Sequence, residues 1–435
     1  MKHLFYGGVH PADKKALSSG FALKKIEEPK QVIIPMSQHI GAPATPLVAV
    51  GDVVKKGQKI GDGEGLCVPV HASVSGKVVA VEPRRHPNGK MVTSIMIEND
   101  FQNTLDTTMI PHEEAASLSR EEIIAIIREA GIVGMGGATF STSVKAAVDA
   151  KIDTLIANAC ECEPYITADD TLLRTNAKQV ISGMKLIALA VKPDHMVLAI
   201  EDNKKEAIAE LKKLLANEEN IELRELPTRY PQGGERQLVQ AVTGREIVPG
   251  QLPSTVGCMV FNVATCDAVY KAVCLGKPVT ERIVTVTGEA VKNPGNFIVP
   301  TGTPMEEVIN AAGGLTEDVW KVISGGPMMG LAQPDICAPV IKGTNAILCL
   351  STAQNGENPN QTCIRCGKCL TVCPTHLQPL YMNVYTKKKD VEALEQYHIL
   401  DCIECGCCAY ECPAKLPLVE QFRIGKQLVR EGKKS

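Results

Sequence analysis

The chain has 435 residues, 44% of them hydrophobic and 22% charged, the make-up of a globular protein of about three domains. Its net charge of −3 excludes a broad basic surface for nucleic acid, and no apolar run reaches the roughly 18 residues that a membrane span requires. The N-terminus, MKHLFYGGVHPADKK, lacks the apolar core of a signal peptide, so the seventeen cysteines predict a reducing compartment and metal ligation, not a disulfide framework.

Residues 1–105 alternate short β-rich runs, Val32 to Pro35 and Pro46 to Val50 among them, with glycine turns at Gly51, Gly57, Gly61 and Gly76. That rhythm predicts a small β sandwich or barrel. The stretch GDVVKKGQKIGDGEGLCVPVHASVSGKVVAVE, from Gly51 to Glu82, resembles the biotinyl/lipoyl-type barrel-sandwich hybrid. Carriers of that family present a modified lysine on a tight hairpin. Cys67 stands in the lysine's place, so the resemblance implies a docking module without a swinging arm.

A polar linker from Glu98 to Glu114 leads into a second unit, 112–275. Ser119 and Glu122 form a capping box for a helix with an apolar stripe at Ile123, Ile124, Ile126 and Ile127. The helix runs into a glycine loop, Gly131 to Phe140, whose backbone N–H groups can approach an anion. A further helix is predicted from Ser141 to Ala150. The loop reads GxxGxGG after a helix, not GxGxxG after a strand, so a dinucleotide fingerprint is not met and a plain tight turn stays open. Asp153 to Ala159 predicts a buried strand running into Cys160-Glu161-Cys162-Glu163-Pro164, where polar groups at a strand's carboxyl end meet ligands. The other reading makes Glu161 and Glu163 solvated loop acids. Met196 to Ile200 reads as a strand and Lys204 to Ala216 as a helix.

In order and spacing these segments resemble the flavin subunit of respiratory NADH dehydrogenase (complex I). GMGGATFSTSVK, from Gly134 to Lys145, resembles that family's GRGGAGFPTGLK; Asn158 to Pro164 its NADESEP; Tyr230 to Glu235 its YxxGEE; and Asn262, Val263 and Thr265 its NNVET. The resemblance implies that Gly134, Gly136, Gly137, Lys145, Asn158 and Asn262 line FMN. It implies that Phe140, Glu163 and Glu235 lie on the NADH side, with Glu161, Tyr230, Gly233 and Thr265 completing the site. Cys160, Cys162, Gly234 and Ser141 depart from the family pattern, which puts the hydrogen bonding and potential of the flavin in question.

Residues 276–350 include ERIVTVTGEAVKNPGNFIVPTGTPMEEVINAAGG, which looks like the soluble-ligand-binding β-grasp (SLBB) module that also follows the flavin domain in complex I. The glycine-rich Ile323 to Gly330 reads as a loop between strands. Asn355 to Gln361 is a polar linker into a last unit, 355–435.

That unit holds CIRCGKCLTVCP, from Cys363 to Pro374, and CIECGCCAYECP, from Cys402 to Pro413. Four cysteines spaced x2, x2, x3 before a proline form the bacterial-type iron–sulfur run, because soft thiolates suit a [4Fe–4S] cube and the fourth ligand serves the other cluster. Zinc sites have no use for the trailing x3-C-P. Crossed ligation assigns Cys363, Cys366, Cys369 and Cys412 to one cluster, and Cys402, Cys405, Cys408 and Cys373 to the other. The alternative gives each run its own cube, with Cys407 substituting for a neighbour; otherwise Cys407 is a spectator thiol. The region between the runs reads as helical, and Leu416 to Lys434 as a basic amphipathic tail.

The expected fold is therefore multidomain α/β and α+β: barrel-sandwich hybrid, Rossmann-like FMN/NADH domain, β-grasp module and α-helical two-cluster ferredoxin domain. This order resembles the RnfC family, the NADH-oxidising subunits of membrane-bound, ion-translocating ferredoxin:NAD oxidoreductases. The resemblance implies hydride exchange between NADH and FMN, and single electrons passed through two [4Fe–4S] clusters to partner subunits and ultimately ferredoxin. It also implies a peripheral place on the cytoplasmic face of a bacterial membrane. Two alternatives stand beside it: a soluble flavin/iron–sulfur reductase of the corrinoid or cobalamin reductase kind, and a flavin-free electron-wire subunit.

Overall fold

The computed structural model describes residues 5–356 and 362–432. Most of the expected linker, 357–361, and the last two residues of the basic tail, 433 and 434, lie outside the described residues.

The first unit is a barrel-sandwich of two small antiparallel sheets. One runs in the order Gln31–Pro35, Met91–Asn99, Gly76–Arg85, Val53–Val54; the other is built from Thr45–Pro46, Lys59–Asp62 and Val70–His71. Alternation puts Val32 and Ile34 inward, where they meet Ile60, Val78, Ile95 and Ile97 in a sealed core. Gly76 must be glycine: at φ +150° a Cβ would lie 1.9 Å from the Glu98 carbonyl oxygen. Cys67 sits in this core, not at a hairpin tip in solvent.

The second unit is a four-stranded parallel sheet with helices on its faces. Its elements are α1 (Arg120–Glu129), α2 (Thr142–Ala146), β1 (Thr154–Ala159), α3 (Ala168–Val191), β2 (His195–Glu201), α4 (Lys205–Leu215), β3 (Ile221–Leu226), α5 (Glu235–Thr243), β4 (Cys258–Asn262) and α6 (Val263–Leu275). The capping box of α1 forms as its sequence predicts, with Ile123 and Ile127 fully buried. The predicted helix from Ser141 to Ala150 closes after Ala146, leaving little more than one turn. Strand order is β3-β2-β1-β4, so the chain winds one way from β1 to β3 and then returns to the other side of β1.

The third unit is a mixed sheet in which Glu281–Thr287 and Gly295–Pro300 pair antiparallel, and Met305–Ala311 packs a helix on its core. Lys24–Lys25 adds a parallel edge strand beside Gly295–Pro300, so part of the N-terminal segment leaves the barrel to complete the β-grasp sheet. The fourth unit wraps the helices Pro379–Lys388, Val391–Gln396 and Leu418–Gly432 around Met382, Leu394, Ile399 and Phe422.

Long-range ties join the units. The Lys342 ammonium, fully buried, donates to the carbonyls of Pro69 (2.6 Å) in the barrel and Gly131 (2.7 Å) in the flavin-type unit. Burial without a carboxylate partner pushes its pKa down to about 7. Residues 5–10 run between the second and fourth units: Gly8 donates to Val372 (2.9 Å), Val9 bridges Tyr230, and Tyr6 stacks on His376 at 4.3 Å. Gly7, at φ +70°, presses so closely on Cys373 that a Cβ would stand 2.8 Å from its carbonyl carbon.

Candidate functional site: a strand-end crevice beside two thiol-lined cavities

In an open parallel sheet a ligand binds outside the carboxyl ends of the strands, where the winding reverses. Here that point lies between β1 and β4, whose last paired residues are Asn158 and Asn262. Asn262 also caps α6, accepting from Ala264 N–H (2.8 Å), while its Nδ2 donates to Asp169 (2.6 Å). Asn158 accepts from Cys160 N–H (3.0 Å) and donates to the Gly233 carbonyl (2.9 Å). The glycine loop lies across the same crevice. Thr265 Oγ1 holds it by accepting from Met135 N–H (3.0 Å), and Phe140 closes it by accepting from Gly134 N–H (2.8 Å). Gly136 and Gly137 face outward; a Cβ on Gly136 would stand 3.4 Å from the Asn262 side chain, and one on Gly137, at φ +115°, would meet nothing within 4 Å. The loop thus lays surface-exposed glycine backbone beside the Asn262 side chain, where any added side chain at Gly136 would press on the asparagine, a lining that fits a flavin ring.

Lys145 and Glu235 pair across the mouth at 2.5 Å, with Lys145 5.3 Å from the centre of the Phe261 ring. A residue expected beside FMN and one expected on the NADH side are thus in direct contact. Gly233 must be bare, since a Cβ would lie 2.1 Å from the Cys160 carbonyl oxygen.

Glu161 and Glu163 do not act as solvated acids. Glu161 accepts from the N–H groups of Asp169 (2.8 Å) and Asp170 (3.4 Å) at the N-terminal end of α3, where a negative charge is favoured. Glu163 accepts from Met328 (3.2 Å) and Met329 (2.9 Å) of the glycine-rich β-grasp loop. Burial raises its pKa to about 7 against the pull of those two N–H groups. Burial and the neighbouring Glu161 charge likewise raise Asp169.

Two site residues gave no local signal in the sequence. The buried ammonium of Lys15 donates to the carbonyls of Glu161 (2.9 Å), Glu163 (2.8 Å) and Ile166 (2.5 Å) and so fixes the CECEP loop from behind. Arg282, buried in the β-grasp unit, donates to the Met135 carbonyl (3.2 Å) at the glycine loop. Burial lowers its pKa while Asp169 and Asp267 oppose the shift.

The cysteine runs form two cavities. One is lined by Cys363, Cys366, Cys369 and Cys412, the other by Cys373, Cys402, Cys405, Cys407 and Cys408. The fourth cysteine of each run therefore stands with the first three of the other. The two loops repeat one backbone: Arg365 and Glu404 at φ +57° and +56°, Gly367 and Gly406 at +76° and +79°, His376 and Lys415 at +55° and +52°. In that geometry amide N–H groups turn toward sulfur, as Arg365 does to Cys363 (3.4 Å), Glu404 to Cys402 (3.4 Å) and Leu377 to Cys373 (3.3 Å). Thiols facing an apolar-walled cavity with amide donors at their sulfurs fit an iron–sulfur cube. No three potential ligands converge tightly enough for a single metal ion among the described residues.

The second cavity abuts the crevice domain. Val9, Cys162, Tyr230, Met328, Cys405 and Cys407 pack together, and Gln237 of α5 donates to the Pro374 carbonyl (3.3 Å).

Comparison with known proteins agrees with this architecture. Family models match residues 3–102 (RnfC barrel sandwich hybrid domain), 127–271 (Nuo51 FMN-binding domain), 283–332 (SLBB domain) and 362–416 (4Fe-4S dicluster domain). Fold and site define an iron–sulfur flavoprotein, an electron-transfer subunit with an FMN-binding domain and a dicluster domain. The chain is 44% identical to the RnfC subunit of the Na(+)-translocating ferredoxin:NAD(+) oxidoreductase complex of Acetobacterium woodii, over 98% of this chain and 97% of that protein. It is 43% identical to the counterpart in the proton-translocating complex of Clostridium ljungdahlii, over 96% and 92%. It is also 43% identical to the counterpart in the ion-translocating oxidoreductase complex of Citrobacter koseri, over 96% of this chain but 60% of that protein. The chain belongs to the RnfC family of the ion-translocating ferredoxin:NAD(+) oxidoreductase complexes. The crystal structure of an NAD+-reducing [NiFe]-hydrogenase shares the fold, with a TM-score of 0.53 at 21% identity over 74% of this chain and 64% of that one. No helix among the described residues is long and apolar enough to cross a membrane.

Proposed function

We propose that this chain exchanges electrons between NADH and the redox partners of an Rnf-type complex, with FMN over Asn158 and Asn262 and two crossed [4Fe–4S] clusters beside it. When bound, FMN would supply the conversion of the two electrons of one hydride into single electrons, which the clusters would carry. The chain's own residues bind, orient and exclude water. Gly136 and Gly137 leave room for the ring, Thr265 and Arg282 hold the loop that carries them, and Lys145 with Glu235 guards the mouth through which nicotinamide enters. Lys15 and Glu163 are positioning residues: one fixes the CECEP loop, the other ties it to the β-grasp loop. Cys363, Cys366, Cys369 and Cys412 hold one cluster, and Cys402, Cys405, Cys408 and Cys373 the other. Cys407, buried against Tyr230, is a packing thiol. Electrons pass on to membrane partner subunits at the cytoplasmic face and ultimately to or from ferredoxin.

One observation carries the reading: the second thiol cavity packs against Cys162 and Tyr230, and Cys162 accepts from the N–H of Gly233, whose carbonyl Asn158 holds, which supports a two-electron site close to a one-electron site. Anaerobic titration of the purified holoprotein with NADH tests it. Flavin and cluster absorbance should bleach together to a fixed endpoint per chain. A protein that contains FMN and iron yet stays oxidised under excess NADH would overturn the proposal.

A further inference from the structure

In the barrel unit the stretch around Cys67, where a carrier would present its lysine, is built as a seat for the segment Gln38 to Ala42. Gly41, at φ +140°, lies so close that a Cβ would stand 2.0 Å from the Leu66 carbonyl oxygen, which accepts from Ala42 N–H (3.0 Å). Val68 N–H donates to His39 Nε2 (3.1 Å). What the seat presents outward is Ile40, whose N–H donates to the Thr139 carbonyl (3.1 Å) in the glycine loop. Thr139 stands at φ +50°, the one β-branched residue at positive φ among the described residues. Crowding at its Cβ makes that conformation costly, so it persists only where the surroundings over-determine it.

Two other units do so. The barrel holds the Thr139 carbonyl through Ile40, and the β-grasp unit confines the side chain, since a Cβ on Gly343 would lie 2.5 Å from Thr139 Cγ2. Gly343 takes no left-handed φ, so contact alone keeps it bare. It follows Lys342, whose N–H donates to Gln38 Oε1 (3.1 Å) in the barrel while its ammonium holds Gly131 at the start of the loop. Within the loop, Thr139 N–H donates to the Gly134 carbonyl (3.1 Å) and Gly134 N–H to that of Phe140 (2.8 Å), and these two bonds enclose Gly136 and Gly137. We infer that Thr139 is a positioning residue of the flavin site, and that the barrel and the β-grasp turn clamp it so that the glycine loop is shaped for FMN from outside its own unit. The inference rests on the reading of the crevice as the FMN site. It gives the barrel a part in hydride exchange that needs no swinging arm.

The test titrates the full-length, cluster-loaded, flavin-depleted protein with FMN and follows the quenching of FMN fluorescence. Gly343→Val should drive Thr139 from its place and weaken FMN binding about tenfold, with iron content unchanged. Adding Thr139→Gly removes the colliding methyl and supplies a residue at ease at positive φ, so the double variant should return to within about twofold of the wild type. On the barrel side, Ile40→Pro deletes the donor and should weaken FMN as Gly343→Val does, whereas Ile40→Ala keeps the N–H and should not. Hydrogen exchange of the Gly134 and Thr139 amides reads the clamp without flavin: both should exchange faster in Gly343→Val and recover in the double variant. Unchanged FMN affinity in Gly343→Val, or equal loss in the single and double variants, would overturn the proposal. Faster exchange with FMN binding intact would also overturn it, and would leave Thr139 a packing contact between units. A wild type that binds no FMN, with its loop amides still following the exchange pattern, would instead overturn the flavin reading beneath it.

Discussion

Asn158 and Asn262 are the last residues paired between two neighbouring parallel strands, at the one place in the four-stranded sheet where the winding changes direction. Each already spends part of its amide on the local backbone, Asn158 at Cys160 and Asn262 at the first turn of α6. Their side chains are thereby fixed before a ligand arrives, so little ordering entropy is left to lose on binding.

The first prediction concerns the space above them. Gly136→Phe should leave the chain folded with both clusters but empty of flavin, because the new side chain would start 3.4 Å from Asn262 and fill the crevice. Acid-released FMN should fall from about one per chain toward none, with iron content unchanged. A variant that retains full FMN would remove the crevice as its site.

Crossed ligation makes a second prediction. Cys373 lines the cavity of Cys402, Cys405 and Cys408, so Cys373→Ser should perturb the signal of the second-run cluster and spare that of Cys363, Cys366 and Cys369. Electron paramagnetic resonance on the dithionite-reduced variant separates the two. Damage confined to the first-run cluster would mean that each run binds its own cube.

The cysteine runs were legible in the sequence because their chemistry is encoded locally, in spacing and in the proline that ends each run. The strand, glycine loop and capping box of the crevice domain were legible for the same reason: turn, cap and periodicity rules act within a few residues. Lys15 and Arg282 were not legible, since their partners lie 146 and 147 residues away and only the folded chain brings them together. The N-terminal segment was read as part of the barrel from its position, but its strand Lys24–Lys25 serves the β-grasp sheet and its residues 5–10 serve the cluster domain.

The two glutamates should separate in experiment. Glu235 is at the surface and among the described residues is paired with Lys145, so Glu235→Ala should raise the KM for NADH and leave stability within about 0.5 kcal/mol. Glu163→Ala strips the acceptor from two amides of the β-grasp loop and should cost about 1 kcal/mol or more of stability. It should also slow cluster reduction by NADH, because that loop abuts Gly406 of the second run. Urea unfolding alongside NADH kinetics checks both. Equal stability of the two variants would mean the clamp is not formed.

Lys342 gives a pH dependence with a definite sign. Its folded pKa lies at about 7 and its unfolded value at about 10.4, so between the two the unfolded chain binds more protons. Its contribution to stability is therefore smallest below about pH 7 and rises as pH climbs toward about 10. In Lys342→Met, the change in urea midpoint between pH 6.5 and pH 9, two values about either side of the folded pKa, should be less positive than in the wild type. An identical change in both proteins would show that the buried amine does not titrate as its surroundings require.

The most direct test of the account compares flavin-loaded with flavin-depleted protein, both carrying their clusters, on rapid anaerobic mixing with NADH. The account predicts that cluster absorbance bleaches in the loaded protein, stays oxidised in the depleted one, and bleaches again once FMN is restored. Cluster reduction by NADH at the same rate without flavin would contradict it.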